Sequence, residues 1–178
     1  LRKRVLSYAF ERDLMHPEDC GTMTHWYSRT PLDFLRAKQP RLLSQNSGIY
    51  SEQTGLVWDI ADDANLDNYF ALTAAHIRNY GQAGLFHTIG LAERTYSEDR
   101  EANLRLKLYV YRRICRYIRE NYPGSKLLLA SWDLYFTYTN DEVRRLLDEL
   151  DKEQVLLLDY TSDSQTENSV LNWDVSAR

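Results

Sequence analysis

Short unbroken apolar runs alternate along this chain with longer stretches in which an apolar residue returns every third or fourth position. The runs are Leu56 to Ile60, Leu85 to Glu93, Lys126 to Asp133 and Val155 to Asp159. They lack polar alternation, as strands covered on both faces do. The intervening stretches have the helical period. Asp62 to Gly81 sets Leu66, Phe70, Thr73, Ala74 and Ile77 on one face, with Gly81 as its stop. A longer helix is predicted from about Glu98 to Asn121, with Leu104, Leu108, Tyr111, Cys115 and Ile118 as its buried stripe. Thr95 and Glu98 have capping-box spacing at its start, and Pro123-Gly124 closes it. Thr139-Asn140-Asp141-Glu142 is a second capping box, followed by an apolar face of Val143, Leu146, Leu147 and Leu150.

The first third of the chain is less regular. Leu1 to Leu14 reads as a basic amphipathic helix, with Val5, Tyr8, Ala9 and Arg12 at helical spacing, ended by Pro17. Thr22 to Tyr27 is a short β-prone run. Thr30-Pro31-Leu32-Asp33 signals a helix that stops before Pro40. Gln39 to Gly55 is loop-like, and so is the polar tail from Thr161.

Strand, helix, strand, helix, strand is the order of parallel βα units. The expected fold class is therefore α/β: parallel βα units forming part of a (β/α)8 TIM-type barrel. With 178 residues and no evident linker, one domain spanning residues 1–178 is expected. A closed barrel takes about 250 residues. The chain starts at Leu1 without Met, so a fragment of a larger protein is expected, with the remainder of that polypeptide as a partner.

Composition narrows the function. At 43% hydrophobic and 27% charged the chain is globular. A net charge of −4 gives no general attraction to nucleic acid or to an anionic membrane. No apolar run approaches the ~20 residues of a spanning helix. Cys20 and Cys115 are too few for a disulfide framework or a zinc site, and Cys115 lies on an apolar stripe as an inert core thiol. His16, His25, His76 and His87 show no metal-ligand spacing, and no glycine-rich phosphate loop is present. No metal or organic cofactor is expected. Arg105, Arg112, Arg116 and Arg119 share a helix face, which reads as the solvated outside of a barrel helix more readily than as a phosphate site.

The candidate chemistry lies in the acids that end the apolar runs: Glu93, Asp133 and Asp159. In a parallel barrel such positions gather on the face where barrels do chemistry. Glu93 is the candidate general acid/base, a role open to a partly buried Glu; pairing with Arg94 is the structural alternative. Trp132 and Asp133 adjoin, Tyr160 follows Asp159, and His25 and Trp26 end the β-prone run. Aromatic rings cover the flat C–H faces of sugars while carboxylates and His hold hydroxyls, so these residues are candidates for a carbohydrate pocket. A core role is the alternative for each Trp.

Over Gly55 to Asp163 the layout resembles part of the catalytic barrel of glycoside hydrolase family 89, the α-N-acetylglucosaminidases. Trp58-Asp59-Ile60 and Asn79-Tyr80-Gly81 match an aspartate-containing turn and a helix end in that family. Leu91-Ala92-Glu93 matches a strand ending Phe-Asn-Glu, whose Glu is the acid/base. Ala130-Ser131-Trp132 matches Gln-Gly-Trp, and Leu158-Asp159-Tyr160-Thr161-Ser162-Asp163 matches Leu-Asp-Leu-Phe-Ala-Glu. The Asn before the acid is Ala92 here, and Gln-Gly is Ala130-Ser131. Thr88-Ile89-Gly90-Leu91 is also similar to strand ends of the large α-glucuronidase families. The resemblance implies a retaining exo-glycosidase acting on an α-linked N-acetylhexosamine or related sugar, with Glu93 as acid/base. The family's second catalytic Glu falls beyond the matched stretch. The competing expectation is a non-catalytic carbohydrate-binding or interaction module of the same layout.

Overall fold

A computed structural model of the chain describes residues 1–14, 17–19, 33, 37–43, 57–82, 84–88, 91, 95–159 and 169–175. One domain is expected from the sequence; the chain divides into two compact units, Leu1–Thr88 and Ile89–Arg178.

The first unit holds α1 (Arg2–Phe10), β1 (Pro17–Asp19), β2 (Leu42–Leu43), β3 (Val57–Trp58), α2 (Asp63–Tyr80) and β4 (Leu85–His87). β1 and β4 pair in parallel, Pro17 beside Leu85 and Asp19 beside His87. β2 and β3 form an antiparallel pair inside a stretch expected partly as loop. α2 begins where the Asp62 carboxylate accepts the Ala64 N–H, and it ends at Gly81, whose φ of +100° suits glycine. Its buried residues are Asn65, Leu66, Tyr69, Phe70 and Thr73. Asn65 ties the helix to the β2–β3 pair, its amide donating to the carbonyls of Arg41 at 2.8 Å and Asp59 at 2.9 Å. The Asp59 carboxylate is taken up by Arg41 and the Ala61 N–H. α1 corrects its expectation: it stops at Phe10, and Val5 and Tyr8 are exposed.

The second unit holds α3 (Arg100–Asn121), β5 (Lys126–Ala130), α4 (Ser131–Thr137), α5 (Asn140–Glu149), β6 (Val155–Leu158) and α6 (Ser169–Asn172). β5 and β6 are parallel neighbours, in register from Leu127 beside Val155 to Ala130 beside Leu158. α3 buries the expected stripe of Leu104, Leu108, Tyr111, Cys115 and Ile118, and also Lys107, Val110 and Ile114. A row of ion pairs joins α3 to α5 and to Asp151, two residues beyond it: Arg100 with Glu142, Arg145 with Glu101 at 2.8 Å, Arg112 with Glu149 at 2.7 Å and Arg119 with Asp151 at 3.5 Å. Partner numbers rise together along both, so the two helices run in the same direction, as helices of successive βα units do. The chain is thus mixed α/β with parallel strand pairs in each unit.

Three boundaries differ from the sequence reading. β5 ends at Ala130, and Ser131 already starts α4, which moves Asp133 from a strand end into the first turn of a helix. A carboxylate is favoured there by the helix dipole. β4 covers only Leu85–His87 of its apolar run. α3 is opened by Asp99 in place of the Thr95/Glu98 box, because the Asp99 carboxylate accepts the N–H groups of Glu101 and Ala102. The second box forms as expected: Thr139 Oγ1 accepts the Glu142 N–H at 3.3 Å and Glu142 Oε2 accepts the Thr139 N–H at 2.8 Å. Thr139→Ala is expected to lower stability by about 0.5–2 kcal/mol, read by urea denaturation. The β-prone run Thr22 to Tyr27 lies outside the described residues.

Candidate functional site

The β5–β6 register continues past the strands. Ala130 sits beside Leu158, so the next pair along is Ser131 and Asp159, and the Ser131 hydroxyl donates to Asp159 Oδ1 at 3.3 Å. Two consecutive parallel strands therefore bring a hydroxyl and a carboxylate together at their carboxyl ends. Ser131 is buried, and its hydroxyl orients the carboxylate. Trp132 follows at 41% exposure, which makes it a surface ring rather than a core residue. Asp133 turns the other way and is buried, with little surface to offer a ligand.

The inward side of the same segment carries a polar cluster. Lys107 is 0% exposed on the apolar stripe of α3, with its ammonium 4.6 Å from the centre of the Tyr138 ring. Burial lowers its pKa, Glu142 raises it, Arg100 lowers it and Asp133 raises it; the outcome is about 7. This amine is therefore about half protonated near neutrality, unlike any surface lysine. Burial works against the Glu142 carboxylate, yet hydrogen bonds from Arg100 and the Thr139 N–H hold it below its ordinary value. Tyr111 and Tyr138 are pushed well above the ordinary phenol range by burial.

No known protein family, curated protein or solved structure matches the chain. The site is therefore read from its own geometry. Of the candidate residues, Trp132, Asp133 and Asp159 fall on one short edge; Glu93, His25, Trp26 and Tyr160 lie outside the described residues. Among the described residues no group of three His, Cys, Asp or Glu could hold a metal ion, and no helix is long and apolar enough to cross a membrane. Cys115 is buried and its thiol is pushed up to about 12 by that burial. His87 at the end of β4 has its pKa lowered by burial. The arginine face of α3 is engaged: Arg105, Arg112 and Arg119 each stand beside an acid.

Sequence reasoning missed Ser131, Lys107 and Tyr138. Lys107 had a signal: it stands three residues after Leu104 and four before Tyr111, inside the stripe. Ser131 is found only once the strand register is known.

Proposed function

We propose that this chain is part of a (β/α)8 barrel of a retaining, exo-acting glycoside hydrolase that takes an α-linked N-acetylhexosamine or a related sugar. The observation that supports this reading is the β5–β6 edge. Parallel strands in register end in the Ser131–Asp159 pair, with an exposed Trp132 beside it. Barrel enzymes gather their working residues at that end of the strands.

In this reading Glu93 protonates the departing glycosidic oxygen and later activates water. Asp159, oriented by Ser131, holds sugar hydroxyls or positions Glu93. Trp132 covers an apolar sugar face, with His25, Trp26 and Tyr160 along the pocket. Asp133 supports the edge from inside. A retaining mechanism needs a second carboxylate about 5–5.5 Å from the acid/base, and the reading assigns it to the remainder of the polypeptide.

The test is hydrolysis of a panel of aryl glycosides by the full protein. Turnover of an α-N-acetylhexosaminide that is lost in Glu93→Gln supports the reading. No turnover across the panel, or unchanged turnover by that variant, sinks it and favours the non-catalytic module. Trp132→Ala is expected to raise KM about tenfold, roughly one aromatic contact. Because the ring is exposed, the same change should cost less than about 1 kcal/mol of stability by urea denaturation.

A further inference from the structure

Seven basic residues stand against two acids on α3, in a chain whose net charge is −4. Arg100, Arg112 and Arg119 engage the acids of α5 and Asp151. Arg105, Tyr109, Arg113 and Arg116 follow at steps of four, four and three residues, so they form a second row further round the helix. We propose that this second row docks an acidic segment of a separate protein, with the Tyr109 ring as its apolar contact and Arg113 and Arg116 as its carboxylate-binding groups. No member of the row belongs to the proposed sugar site, so the two readings stand or fall separately.

The row is accessible and partly preformed. Tyr109 is 40% exposed, and the Arg113 guanidinium donates to its hydroxyl at 2.8 Å while lying 5.8 Å from the centre of its ring. Ring and guanidinium thus brace each other at the surface, and tyrosine and arginine are the side chains that most often anchor an interface. Arg116 is exposed, and among the described residues no acid stands within ion-pair distance of it, Glu120 one turn on included. Arg112, Arg113 and Arg119 all lie three or four positions from Arg116. Like charges at that spacing repel. A solvated helix face ordinarily relieves such repulsion by alternating its signs; here an incoming carboxylate relieves it.

Size and surroundings favour a peptide over other anions. From Arg105 to Arg116 the row spans about 16 Å. Along one flank lie Glu149 and Asp151, beside Arg112 and Arg119. A nucleic-acid duplex or an anionic membrane extends well past so short a strip, and meets those acids and the net negative charge of the chain. A short acidic segment ends where the strip ends. The planar fork of arginine matches a carboxylate in two hydrogen bonds, and an aliphatic side chain among the acids covers the Tyr109 ring.

The experiment is a fluorescence-anisotropy titration of the whole chain, at about 0.15 M salt, with a labelled peptide of glutamates around two central leucines. Separate arms use a peptide with lysine in place of glutamate, an all-glutamate peptide, duplex DNA and phosphatidylserine vesicles. The glutamate–leucine peptide is expected to bind saturably and more tightly than every other probe, with amide NMR shifts centred on Tyr109, Arg113 and Arg116. Arg113→Glu combined with Arg116→Glu is expected to weaken it about tenfold. Should that double variant fail to fold, Arg116→Gln at an exposed position is expected to weaken it roughly twofold to fivefold. Tighter binding of DNA or vesicles would give the row to another class of partner and overturn the proposal. So would dimerisation of the chain through this face, or an unchanged affinity in a folded variant.

Discussion

Trp173→Ala is expected to destabilise the protein by about 3–5 kcal/mol, a loss typical of emptying a core site of its largest side chain. Trp173 follows the single-turn helix α6 and is 1% exposed. Its indole N–H donates to Asn140 Oδ1 at 2.9 Å, and the Arg144 guanidinium donates to the carbonyl of Asn172 next to it. Both contacts fall on α5, so the substitution loosens that helix as well as the tail. Trp173→Phe keeps much of the bulk and loses the hydrogen bond, and should cost roughly half as much. Urea denaturation of the three proteins gives the comparison. An alanine variant within about 1 kcal/mol of wild type would remove Trp173 from the core.

Lys107→Met is expected to change how stability depends on pH. The unfolded lysine keeps its proton up to about 10.5, whereas the folded one releases it near 7. Between those values the unfolded chain binds up to one more proton, so stability rises with pH. Below pH 7 both states are protonated and the penalty for the buried charge is present in full. The rise is at most about 1.4 kcal/mol per pH unit. Other groups bend the curve at its upper end. Cys115 ionises in the unfolded chain from about 9 but in the folded protein only near 12, and the buried phenols of Tyr111 and Tyr138 act in the same sense. These lower stability as pH climbs. They remain in the Met variant, so the difference between the two proteins isolates the lysine. Met is unbranched and fills a similar channel. Denaturation of both proteins at half-unit steps from pH 6 to 10 measures it; parallel curves would show that the lysine titrates normally.

Much of the second unit was legible because its signals are local. The span of α3, the Thr139–Glu142 box and the apolar runs of β5 and β6 each follow from a few neighbouring residues. What was misplaced depends on contacts far along the chain. Asp133 read as the end of an apolar run, since nothing in Ser131-Trp132-Asp133 marks a helix start; Ala130 caps α4 without a side-chain hydrogen bond. Trp173 sits in a polar stretch, and only its distant partner Asn140 makes it core. Lys107 shows the limit of counting charges, because helical spacing had already placed it among Leu104, Leu108 and Tyr111. For the candidate site, sequence set Asp159 and Trp132 at the ends of apolar runs, but the serine that donates to the Asp159 carboxylate emerges only from the parallel register.

The row of ion pairs between α3 and α5 has a use that its strength does not convey. Apart from the half-buried Glu142 the partners are exposed, and exposed pairs contribute about 0–1 kcal/mol. Yet Arg100, Glu101, Arg112 and Arg119 meet their partners at different heights along the helix. If one helix slid along the other by a single turn, about 5.4 Å, every pair would be lost at once, and the apolar faces would still find apolar faces to meet. The charges thus work as a vernier, choosing one alignment of two greasy surfaces that would tolerate several.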